Sequence, residues 1–139
     1  MLKTLKISKL IIPYLILLVI TGFKGDLFIP FIIIICHEGV HYIAAYIIGL
    51  EGIINIYPLG AFLRINGLDD ATCEEDLIIS LSAPFANILF GVIFFIINLY
   101  FNSKLIYLIF VYNFVLGLFN LIPALPLDGG RVLRLSLIH

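Results

Sequence analysis

Apolar residues in this chain fall into four long runs, separated by two short polar breaks and one long polar loop. The runs cover residues 8–23, 27–50, 77–99 and 105–127, and the last two hold no charged residue. At about 1.5 Å per residue, such runs suit helices crossing a hydrocarbon core about 30 Å thick. The pattern predicts an all-α polytopic membrane protein with about four transmembrane helices. Phe23–Asp26 and Tyr100–Lys104 are short turns, whereas Glu51–Asp76 is a loop carrying six acidic residues and one Arg64. Within it, Ile53–Ile65 is rich in β-branched and aromatic residues and is broken by Pro58-Leu59-Gly60. That stretch predicts a short β-hairpin between the second and third spans. Open strand edges are unstable against lipid, so the hairpin is expected to be membrane-associated, at the interface or lining a cavity.

Composition agrees with the pattern. In 139 residues, 63% hydrophobic and 12% charged, with a mean hydropathy of +1.20, there is too little polar surface for a soluble globule. The net charge is −1 and no basic stripe is present, which excludes nucleic acid as a partner. About four spans use up the length, so no extramembrane domain is expected. Lys3, Lys6 and Lys9 before Leu10–Ile20 imitate a signal peptide, but Ile20-Thr21-Gly22 lacks a small-x-small site and a second run follows at once. The first run is therefore read as a retained span. Placing the N-terminus in the cytoplasm puts Lys3, Lys6, Lys9, Arg64, Arg131 and Arg134 inside and leaves Lys24 and Lys104 outside. Six against two predicts a multi-pass cell-membrane protein with both termini cytoplasmic. Cys36 and Cys73 are read as packing thiols without a disulfide framework.

The second run carries His37-Glu38-Gly39-Val40-His41, whose two histidines and one glutamate are the only His, Asp, Glu, Lys or Arg residues between Leu27 and Leu50. Ionisable groups at membrane depth are costly unless paired, so they mark function by default. Histidines four apart share a helix face about 6 Å apart along the axis, and both can converge on one tetrahedral zinc. Glu38, beside the first ligand, is then placed to take a proton from a water at the metal. A purely structural role, with both imidazoles hydrogen-bonded to neighbouring helices, is the weaker reading.

A third protein ligand is needed. Cys36 points about 100° away from His37, whereas Cys73, Asp69, Asp70 and Glu74–Asp76 lie in the polar loop and His139 is terminal. Asp128 remains. With the N-terminus inside, His37 and His41 lie about 15 and 21 Å from the outer edge and Asn120 about 22 Å, and a straight helix would carry Asp128 about 12 Å further. Pro123 and Pro126 are expected to unwind the chain after Asn120, and Gly129-Gly130 to bend it, so that Asp128 stays near zinc depth. In the third run, Ser80, Ser82, Ala83, Pro84, Ala86, Asn87 and Gly91 permit close helix approach. Asn87 is the best candidate for hydrogen bonding behind the metal ligands.

Taken together these stretches resemble the site-2 protease family of intramembrane zinc metalloproteases, especially the bacterial branch that includes the stage IV sporulation protease. His37-Glu38-Gly39-Val40-His41 is similar to its zinc-binding helix. The run from Asn120 through Pro123, Pro126 and Asp128 to Gly130 is similar to its Asn-and-Pro-rich Asp-Gly motif, and Pro58-Leu59-Gly60 to its hairpin. The resemblance implies metal ligands His37, His41 and Asp128, Glu38 as catalytic acid and base, and Asn120 as a catalytic residue that holds substrate or stabilises the oxyanion. It implies Zn2+ as cofactor and a transmembrane or membrane-associated protein substrate within the lipid bilayer, such as a pro-sigma or anti-sigma factor. It leaves room for a membrane regulatory subunit. The hairpin could present an edge strand to an extended substrate. Gly39 stands where the family often has Leu, and Ser82-Ala83-Pro84 where Ala-Gly-Pro is usual; neither removes a ligand. The expected unit is a single membrane-embedded metalloprotease core over residues 1–139. Only eight residues follow Arg131, which leaves open whether the chain is a fragment lacking later spans. The alternatives are a catalytically incomplete membrane scaffold and a zinc transporter, and a compact three-ligand site with an adjacent Glu suits hydrolysis better than passage.

Overall fold

The computed structural model describes residues 5–20, 28–58, 60–124 and 127–138; Lys3, the Phe23–Asp26 turn with Lys24, Leu59, Pro126 and His139 lie outside the described residues. In order come β1 (Leu5–Ile7), α1 (Ile11–Ile20), α2 (Phe28–Ile48), β2 (Glu51–Tyr57), β3 (Gly60–Asn66), α3 (Cys73–Phe101), α4 (Lys104–Asn120) and α5 (Asp128–Ile138), with a 3-10 turn at Leu68–Asp70.

α2 and α3 are long and apolar enough to cross a membrane, with 21 and 29 residues, and α1 and α4 are shorter apolar helices. Their burial is inverted relative to a soluble protein. Ile43, Ile47, Phe85, Leu89, Ile96 and Leu99 are exposed, whereas His37, His41, Asp76, Ser80, Asn87 and Asn113 are buried. An apolar outside around a hydrogen-bonded polar inside suits lipid as the solvent.

Local chemistry sets the helix ends. α2 stops where Gly49 adopts a φ of 98°, a left-handed conformation that a side chain would strain, and Leu50 N–H donates back to the Ala45 carbonyl. α3 begins four residues before the apolar run because Thr72 and Glu75 form a reciprocal capping box and Glu74, Glu75 and Asp76 sit in its positive first turn. α3 and α4 pack closely at Gly117, where an added Cβ would meet the Pro84 carbonyl and the Ile88 and Asn87 side chains.

Two features extend the expected architecture. The hairpin from Glu51 to Asn66 forms, but it belongs to a three-stranded sheet of order β1-β2-β3. β1 pairs in parallel with β2, matching Leu5 with Ile54 and Ile7 with Ile56, while β3 is antiparallel and forms the opposite edge. The fourth run is not a single element either. α4 ends at Asn120, as the prolines imply, and the chain turns through Ile122–Ala124 before α5 starts at Asp128. Gly129 lies so close to the carbonyls of Leu121 and Ile122 that a Cβ would collide with them. A glycine is required for α5 to fold back against the end of α4.

Candidate metal centre

α2 presents His37 and His41 on one face, and both are nearly fully buried, at 4% and 5% exposure. α5 brings Asp128 to them: its Oδ2 lies 3.2 Å from His37 Nε2 and 3.1 Å from His41 Nε2. One ligand atom from each of the three residues falls within 4.8 Å of the others.

The far sides of the two rings fix their protonation. His37 Nδ1 lies 2.5 Å from Asn87 Oδ1, Asn87 Nδ2 donates to Asn113 Oδ1 at 2.8 Å, and Asn113 Nδ2 donates to the Ile109 carbonyl at 2.9 Å. A carbonyl only accepts, so Ile109 orients both amides and leaves an oxygen facing His37. His37 Nδ1 must therefore carry the hydrogen. His41 Nδ1 donates to the Ile79 carbonyl at 2.7 Å, an acceptor that it shares with the Ser82 hydroxyl. Both Nε2 atoms thus point lone pairs at a carboxylate oxygen, an arrangement that calls for a cation among them.

The donor set fits a metal. Bonds of about 2.0–2.2 Å to nitrogen and oxygen put the corners of a tetrahedron roughly 3.3 Å apart. The two edges involving Asp128 match that spacing.

Glu38 stands one residue from His37 and is held from the sheet, where Leu63 N–H donates to its Oε2 at 2.9 Å. Since β3 is the sheet edge, this amide faces away from β2 and toward α2. Asn120, by contrast, is tied into its own helix, with Nδ2 donating to the Leu116 carbonyl at 3.0 Å. Asn87 lies where the sequence reading places it. Asn113 was not anticipated, although a lone buried amide in an apolar helix is itself the signal. Cys36 is exposed and lines an apolar cavity between α2, α3 and α4 instead of packing inside.

The family model for peptidase family M50 matches residues 102–138, which take in α4, the turn and α5. A zinc metalloprotease of Methanocaldococcus jannaschii is 34% identical over 111 residues, covering 75% of this chain and 32% of its own length. The solved site-2 protease from Methanocaldococcus jannaschii superposes over 96% of this chain with a TM-score of 0.73 and 28% identity. The chain is similar to the site-2 protease family, peptidase family M50, in sequence over α4 and α5 and in fold over nearly its whole length. It spans about a third of the curated relative and 66% of the solved site-2 protease. This likeness and the two long apolar helices together support a membrane protein.

Proposed function

We propose that this chain is the catalytic core of an intramembrane zinc metalloprotease that hydrolyses peptide bonds in membrane-embedded or membrane-associated proteins. The observation that carries the proposal is the convergence of lone pairs from the buried His37 and His41 and the half-buried Asp128, with the Glu38 carboxylate one residue from His37. These three residues would hold the metal. The family and the zinc metalloprotease relative favour zinc, which when bound supplies Lewis acidity, lowering the pKa of water and polarising a carbonyl.

The chain's own residues carry the remaining chemistry. Glu38 accepts the proton of the attacking water and returns it to the leaving amine, and the Leu63 amide keeps its carboxylate in place. Asn120 has two amide hydrogens; one bonds Leu116, and the other would serve a substrate carbonyl or oxyanion. Because β3 is an edge strand that already meets Glu38, a substrate segment added to that edge would lie beside the base. Pro-sigma and anti-sigma factors are the substrate class that the sequence resemblance suggests. A four-span arrangement with cytoplasmic termini is supported by the sheet, which joins Lys6 of β1 and Arg64 of β3 through β2.

The test is cleavage of a helical membrane substrate by the purified chain in lipid. Activity should vanish with a chelator and return with zinc, and substrate should slow hydrogen exchange over residues 60–66. Cleavage that survives complete zinc removal would overturn the proposal, unchanged exchange would remove the edge-strand step, and bound zinc without cleavage would favour the scaffold.

A further inference from the structure

Asp128 reaches the metal centre from a short helix whose first residue it is, and its two recorded side-chain partners are the other candidate ligands. Something else must set the position of α5. One turn further along, on the same face, Arg131 extends its guanidinium to Asp76 of α3 and forms an ion pair through Nη2 and Oδ1. Asp76 is buried, at 7% exposure, and the Ser80 hydroxyl donates to the same oxygen at 3.3 Å. Three residues beyond Asp76 on α3 stands Ile79, whose carbonyl accepts from His41 Nδ1.

We infer that the Asp76–Arg131 pair is a positioning device for the metal centre. The first turns of α3 then locate two of the three ligands, His41 through the Ile79 carbonyl and Asp128 through Arg131. A planar guanidinium on a buried carboxylate suits that task because its donors are fixed in direction, and a buried pair that loses one partner leaves an uncompensated charge. The contact of Gly129 with the Leu121 and Ile122 carbonyls fixes the other side of the same turn, so α5 is held on both flanks of Asp128. This inference rests on the metal reading of His37, His41 and Asp128.

The test measures zinc affinity by chelator competition and the absorption spectrum of the cobalt-substituted full chain for Arg131→Gln, Asp76→Asn and Arg131→Lys, alongside Asp128→Asn. Either neutralising variant should lose about 10–100-fold in zinc affinity and shift the cobalt spectrum, as loss of an outer support does. Arg131→Lys, which keeps the charge but not the fork, should fall between these and the wild type. If Arg131→Gln does not fold, Asp76→Asn, which preserves shape, decides alone. Zinc affinity within twofold of the wild type in a folded neutralising variant overturns the inference, whatever its melting temperature. Loss in Asp128→Asn together with no change in Arg131→Gln and Asp76→Asn would reject the clamp alone. Unchanged affinity in Asp128→Asn would reject the metal reading itself.

Discussion

Glu38→Gln is expected to keep zinc bound and to lower the cleavage rate by about 10²–10⁴-fold, the range that a positioned general acid–base contributes. Glu38 is not among the three converging ligand atoms, so its charge is not needed to hold the ion. Gln has the same shape and can still accept from Leu63 N–H, so the contact between α2 and β3 should persist. What Gln lacks is a basic oxygen. Zinc content and single-turnover cleavage, measured on the same preparation, separate the two roles. Undiminished cleavage would show that Glu38 is not the base, and lost zinc would show that it is a ligand.

Asp128→Asn should act on the opposite quantity. The carboxylate is the one anion facing two neutral imidazoles, and its replacement leaves an uncharged donor set for a doubly charged ion. The loss in zinc affinity should exceed the roughly 10–100-fold typical of removing an outer support. Thermal unfolding offers a second readout. A ligand at about 100 times its Kd stabilises the folded state by roughly 2.7 kcal/mol, so zinc should raise the melting temperature of the wild type. Asp128→Asn should show little rise at the same zinc concentration. An equal rise in both proteins would place the metal elsewhere.

Much of this was legible in the sequence because membrane depth enforces simple rules. Apolar runs mark helices, and ionisable residues within them stand out, so His37, Glu38 and His41 identify themselves by spacing alone. Pro123 correctly signals the end of α4 after Asn120. β1 escaped because three residues, Leu5–Ile7, find their partners nearly fifty positions away in β2, and no local pattern encodes such a pairing. α5 escaped because Gly129 and Gly130, just after Pro123 and Pro126, read as the end of a helix and not as the start of one; it folds where Gly129 can approach α4 and Arg131 can reach Asp76. The Asn87–Asn113 relay is half legible, since each amide is conspicuous, but their junction depends on how α3 packs on α4.

The central claim is that two imidazoles and one carboxylate of this chain hold zinc. X-ray absorption at the zinc edge of the purified wild type tests it most directly. The expected spectrum has only nitrogen and oxygen neighbours at about 2.0–2.2 Å, with the multiple-scattering signature of two imidazoles. A sulfur neighbour at about 2.3 Å, or the absence of imidazole scattering, would contradict the account.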